Sequence, residues 1–223
     1  MQTTDSGYGI APACLSSHEC DEITAILSDG TVSRSRAGAR HLMANPTVSK
    51  LANDDRLTEL AGEWLGRGAI PFRATLFEKS AGTNWLIPWH QDTALPLAEK
   101  FNLSGRGPWS EKAGAVYAHA PAWALSRVVA LRVHLDASTA DNGPLRVVPG
   151  SHLAGVLSDG QVMEFVSNNE CVECCVPQGG VIVMRPLIIH SSSKVRSTKS
   201  RRVLHIEYAD SLDLADHIRL AVV

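Results

Sequence analysis

The chain has no apolar run approaching the length of a membrane span, and its start does not read as a charged-then-apolar leader. The expected compartment is the cytoplasm, with no membrane partner. Charge of one sign is not in excess either: 21 Lys and Arg against 23 Asp and Glu leave a formal net charge of −2. A nucleic-acid partner would call for a basic face. The one basic run, Lys194, Arg196, Lys199, Arg201 and Arg202, reads instead as a solvated loop entering a strand. Cysteines are few and odd in number: Cys14, Cys20, Cys171, Cys174 and Cys175. That agrees with a reducing compartment. No second Cys pair is spaced to complete a four-ligand zinc site with the 171–175 cluster, so buried strand thiols are expected there. Internal repeats, low-complexity segments and domain boundaries are also missing. A single domain over residues 1–223 is expected, with 1–68 mainly helical support and 69–210 a β core.

What the chain does have is enough apolar material to bury a core, 44% hydrophobic residues against 20% charged. Ser16 and Glu19 make a capping-box pattern, with Leu15 and Cys20 placed as a hydrophobic staple. Ile23, Ile26 and Leu27 continue that apolar face, and Gly30 is expected to stop the helix. A second helix is predicted from about Asp54 to Leu65, with Leu57, Leu60, Ala61, Trp64 and Leu65 as its stripe and Gly66 as its end. Both should pack on the outside of a sheet. From Ala69 the pattern shortens to period-two runs: Phe72 to Lys79, Val128 to Asp136, Leu145 to Val148, Val181 to Met184, and a last strand from Arg201 to Tyr208. Turn signals at Asp141-Asn142-Gly143, Pro149-Gly150 and Gln178-Gly179-Gly180 separate them. Many short strands after two helices imply a mainly β barrel or jelly roll.

The segment Trp89-His90-Gln91-Asp92 carries the chemistry. Residues i and i+2 of a strand point to one side, so His90 and Asp92 can hold one metal while Gln91 points away. His190 follows the apolar run Met184 to Ile189, is expected to end a barrel strand, and can return to the same interior. Two imidazoles and a carboxylate form the facial ligand set of non-haem Fe(II) oxygenases, which Mn or Zn can also occupy. An oxygenase of this kind needs an electron source. A bidentate 2-oxoacid would fill two open metal positions and send its far carboxylate to a guanidinium. Arg201 and Arg202 are adjacent, so only one of them can face the metal. Ser192 could donate a hydroxyl hydrogen bond to the same co-substrate.

At these residues the chain resembles the phytanoyl-CoA dioxygenase family of Fe(II)/2-oxoglutarate oxygenases. The resemblance runs from the Arg40-His41 region to the strand at Arg201. It rests on Trp85 through Asp92, Gly107-Pro108-Trp109-Ser110, Leu131 to Asp136, Asn142 through His152, and Met184-Arg185-Pro186-Leu187 leading to His190. It implies a double-stranded β-helix, a cupin-like jelly-roll barrel, with His90, Asp92 and His190 as iron ligands. It also implies Arg201, eleven residues beyond His190, as the anchor of 2-oxoglutarate, with Ser192 and Trp109 as co-substrate neighbours. His152 falls in a structural turn rather than on the metal. The implied activity is that of a dioxygenase using Fe(II), O2 and 2-oxoglutarate, releasing succinate and CO2 while hydroxylating a small-molecule substrate. Asp92 argues against halogenation, which needs a small residue there. Trp85, Trp89, Trp109, Lys112, Tyr117, His119 and Arg132 are candidate pocket residues, Lys112 and His119 foremost. The alternatives are a non-catalytic metal-binding protein and a 2-oxoglutarate-independent cupin-type enzyme.

Overall fold

In the computed structural model, Val128 to His134 form β8, in the middle of a six-stranded antiparallel sheet. The structure describes residues 4–30, 32–35, 38–80, 84–99, 109–112, 114–215 and 218–223. The sheet runs in the order β1 (Tyr8–Ala11), β11 (Val181–Met184), β8, β13 (Arg201–Ala209), β3 (Ile70–Lys79) and β2 (Gly38–Ala39). A four-stranded sheet faces it: β10 (Val172–Cys174), β9 (Leu145–Val147), β12 (His190–Ser192) and β4 (Ile87–His90). The chain crosses between the two at β3–β4, β8–β9, β10–β11, β11–β12 and β12–β13. That winding is the double-stranded β-helix that the family resemblance implied. Ala130, Ile182 and Met184 of one sheet pack against Leu145, Val147 and Cys174 of the other, closing the interior with apolar contacts.

The period-two reading of β8 holds, but both of its faces are buried. Val129, Leu131 and Val133 pack on helices α1 (Ser17–Leu27), α2 (Pro46–Ala52) and α3 (Asp55–Leu65). Arg132 and His134 point the other way and are 5% and 0% exposed. The polar face of this strand therefore lines the barrel interior rather than solvent.

The capping box of Ser16 and Glu19 is formed, and Leu15 and Cys20 are both buried. The apolar face of α1 is narrower than expected. Cys20, Ile23 and Leu27 are inside, whereas Ile26 is 41% exposed, and the helix ends at Ser28 rather than Gly30. Asp54 caps α3, and Gly66 ends it with φ 73°, a left-handed conformation that glycine adopts without strain. Two further helices are found. α2 is capped by Asn45 with Pro46 in its first turn, and α5 (Asp159–Asn168) by a Ser158–Gln161 capping box. A short turn, α4 (Ala122–Leu125), lies before β8.

Between β4 and β8 a small sheet is inserted, in the order β5 (Ala94–Leu97), β7 (Ala115–His119), β6 (Trp109–Lys112). Arg201–Tyr208 is not the last strand. β14 (Asp213–Ala215) and β15 (Ile218–Arg219) follow, and Leu220 bridges back to Leu97. The first 68 residues are more than helical support, because β1 and β2 extend the large sheet at both edges. The expectation of buried strand thiols holds for Cys174 alone in its cluster; Cys171 and Cys175 are exposed, and Cys20 is buried on a helix.

Candidate metal centre

β4 and β12 pair antiparallel with His90 directly opposite His190. His190 opens β12 rather than ending a strand. Pro186 has no N–H to continue β11, and the Ile188 N–H turns back to the Arg185 carbonyl at 3.1 Å. The same turn holds Asp92, whose N–H donates to the Pro186 carbonyl at 2.9 Å. Ligand atoms of His90, Asp92 and His190 thereby lie within 4.8 Å of one another. His90 Nε2 is 3.8 Å from Asp92 Oδ1, His190 Nε2 is 3.6 Å from Oδ2, and the two imidazole centroids are 4.2 Å apart.

Each imidazole is oriented by its own strand. Nδ1 of His90 lies 2.8 Å from the Pro88 carbonyl, and Nδ1 of His190 lies 2.9 Å from the Ile188 carbonyl. A carbonyl only accepts, so both Nδ1 atoms carry the proton and both Nε2 lone pairs face Asp92. Burial pushes the His190 pKa down to about 4, keeping the ring neutral. Burial acts on Asp92 in the opposite direction, but His190, His90, His205 and Arg73 outweigh it and hold the carboxyl below its ordinary range. Two imidazole Nε2 atoms and one carboxylate make a donor set that suits a divalent cation.

Gln91 points to the other side, as expected, and fastens the site. Its amide donates to the Gly155 and Leu187 carbonyls and accepts from the Leu157 N–H, each at 2.8 Å.

The alternation of β13 separates the two arginines. Arg202 turns outward and forms a two-pronged ion pair with Asp136 at 2.7 Å for each contact. Arg201 turns inward, 2% exposed, with Nε and Nη1 unpartnered among the described residues. Its pKa falls to about 9 through burial and the neighbouring Arg132. Ser192 is a junction rather than a free donor. Its hydroxyl donates to the Gly143 carbonyl at 2.7 Å while accepting from Lys79 Nζ at 2.8 Å and Arg201 Nη2 at 3.3 Å. Gly143 permits this approach, since with φ 71° an added Cβ would meet the Ser193 carbonyl oxygen at 2.4 Å.

Other expected pocket residues scatter. Trp109 packs on the apolar cluster of Leu95, Leu97 and Ala118, and Gly107-Pro108 of its motif lies outside the described residues. Trp85 lies under Lys79, and Trp89 lies under Arg146. His119 bonds Thr93, and His152 packs against Gly7. Arg132 does face the interior, 3.2 Å from His205 Nδ1. Lys79, Arg73, His205 and Glu207 were missed as interior residues. The period-two reading applied to β8 would have found them, because β3 places Arg73, Thr75, Phe77 and Lys79 opposite Glu207, His205, Val203 and Arg201.

A family model described as phytanoyl-CoA dioxygenase matches residues 5–203. The chain belongs to the phytanoyl-CoA dioxygenase family. Within reach of this family member is the L-proline trans-4-hydroxylase of Streptomyces griseoviridis, 27% identical over 186 residues, or 72% of this chain and 62% of that protein. The chain thus spans less than two thirds of the length of that curated relative. Among solved structures, EctD from S. alaskensis in its apoform superposes with a TM-score of 0.70 at 19% identity, covering 92% of this chain and 73% of EctD. The alpha ketoglutarate dependent epimerase SnoN from nogalamycin biosynthesis superposes at 0.67 with 18% identity, covering 94% and 80%. Both share the fold of this phytanoyl-CoA dioxygenase family member. EctD has also been solved with Fe and with 2-oxoglutarate and 5-hydroxyectoine.

Proposed function

We propose that the protein is a non-haem Fe(II)/2-oxoglutarate-dependent dioxygenase that hydroxylates a small organic molecule and releases succinate and CO2. The observation that carries this is the pairing of the His90, Asp92 and His190 cluster with a buried guanidinium, Arg201, that has two unpartnered donor nitrogens and no ion pair among the described residues. A buried cation of that kind is costly unless an anion completes it.

The residues fit the group. His90 and His190 offer Nε2 lone pairs fixed by their own Nδ1–H bonds, and Asp92 supplies the charged ligand. Arg201 offers Nε and Nη1 to the far carboxylate of a dicarboxylic 2-oxoacid. Ser192 holds Arg201 Nη2 in place, and Lys79 ties Ser192 and the Ser193 carbonyl, at 2.6 Å, to β3. Bound Fe(II) and 2-oxoglutarate would together supply the activation of O2 and the oxidation of a C–H bond. The site faces small molecules in our reading, as it does in the proline hydroxylase relative. No helix among the described residues is long and apolar enough to cross a membrane. The exposed unpaired thiols of Cys171 and Cys175 favour a reducing compartment, the cytoplasm.

Anaerobic titration of the apo-protein with Fe(II) and then 2-oxoglutarate, followed by visible absorption, tests the assignment. A weak charge-transfer band that needs both is expected, and Asp92→Ala should abolish it. Iron binding without a band would favour the cupin-type or non-catalytic alternatives.

A further inference from the structure

A second polar group, unused by the chemistry above, gathers on the Asp92 side of the barrel around Tyr117 of β7. The Tyr117 ring is 4% exposed. The Arg73 guanidinium lies 5.7 Å from its centroid and the Lys112 ammonium lies 5.2 Å away. Its hydroxyl is 2.9 Å from His41 Nε2, and the two rings stack at 6.1 Å with 16° between their planes. His41 is held at φ 59°, the only described non-glycine residue with positive φ. Such a conformation survives where the surroundings fix it, and it is enriched at sites of function.

The charges in this group do not balance. Arg73 meets Glu207 at 2.5 Å, a neutral pair inside the barrel. Asp92 is committed to the metal. Lys112 and Arg40 remain, and among the described residues no carboxylate pairs with either. Glu111 is next to Lys112 in sequence, but alternation puts it on the opposite face of β6. Burial first, then Arg40 and Arg73, push the Lys112 pKa down, and Asp92 acts the other way. Lys112 and Arg40 are themselves exposed, so they present positive charge on the solvent side of a buried aromatic wall and a held hydroxyl, where an incoming anion meets it.

We propose that Lys112, Arg40 and the Arg73–Glu207 pair, set around Tyr117, form the subsite that holds a carboxylate of the substrate. This rests on the dioxygenase function proposed above, and it narrows the substrate to small organic acids oxidised at a carbon that the subsite presents to the metal. Tyr117 and His41 would fix the direction of the carboxylate, and Lys112 and Arg40 would supply the attraction.

The test uses the full chain loaded anaerobically with Fe(II) and 2-oxoglutarate. L-Proline and a panel of small carboxylic acids are titrated in, each beside its carboxamide, and perturbation of the charge-transfer band is followed. At least one acid should perturb the band, with its carboxamide needing about tenfold more or failing. Lys112→Gln should raise the acid's half-saturating concentration about tenfold or more, erase the preference over the amide, and leave the band without acid unchanged. Lys112→Arg should restore the preference. Equal response to acid and amide would overturn the subsite. So would an unchanged half-saturation in Lys112→Gln, or a normal band that no acid perturbs. A band that never forms is seen before any acid is added, and it overturns the dioxygenase function instead.

Discussion

Arg201 and Arg202 are neighbours with opposite environments, because successive strand residues face opposite sides. Arg201→Ala should raise the half-saturating 2-oxoglutarate concentration by roughly 30-fold or more, the cost of truncating one partner of a desolvated charge pair. Arg202→Ala should leave that concentration unchanged. It should lower stability by about 1 kcal/mol through loss of the half-buried Asp136 pair, as read by urea denaturation. A larger effect of Arg202 on 2-oxoglutarate would mean that the carboxylate lies elsewhere. Residue periodicity made the His90–Asp92 pair legible in the sequence and allowed only one of the two arginines to face the metal; the choice of Arg201 came from the family resemblance, through its eleven-residue distance from His190. The role of Ser192 was not legible. Its hydroxyl is claimed by Gly143, 49 residues away, and by Lys79, 113 residues away, and local spacing carries no trace of either.

At the scale of elements, caps made α1 and α3 readable, while α2, with seven residues, is too short to display a stripe. α5 was missed although Ser158 and Gln161 repeat the capping pattern of Ser16 and Glu19, because its apolar face is thin and only Val162 is buried. The placement of His190 was misread for a related reason. Met184 to Ile189 looks like a continuous apolar strand, yet Pro186 breaks it and the turn inverts the chain so that a new strand begins at the ligand. Gln91 joins these elements, bonding the turn at Leu187 and the loop at Gly155 and Leu157 to the end of β4. Gln91→Leu would leave three backbone groups without partners at about 1–3 kcal/mol each. We expect a loss of about 3 kcal/mol or more in denaturant melts, together with weaker Fe(II) binding by equilibrium dialysis, even though Gln91 touches no metal. Unaltered iron affinity would show that the ligand loop holds its shape without it.

At the scale of the molecule, the interior of this barrel carries more titratable groups than a purely structural core would, and they govern its response to acid. Burial, reinforced by Arg132 and Arg201, pushes His134 down to about 3, and burial pushes His190 down to about 4; His205 is also lowered, again by burial first. The unfolded chain protonates His134 and His190 near pH 6.5, whereas the folded chain resists until about pH 3 and about pH 4 respectively. Between those limits the unfolded state holds more protons, so stability falls as pH falls from 6.5 towards 4. The loss from His134 and His190 together is on the order of 5 kcal/mol, comparable to the whole stability of many domains. The apo-protein should therefore unfold in that window, followed by tryptophan fluorescence against pH. His134→Leu removes one of the groups and should flatten the transition and move its midpoint down. A divalent metal binds only neutral imidazoles, so Mn(II) at about 100 times its Kd should add about 2.7 kcal/mol and likewise move the midpoint to lower pH. Stability that stays level from pH 7 to 4 without metal would mean that these imidazoles meet their protons inside the fold, and that the barrel interior is wetter than its packing implies.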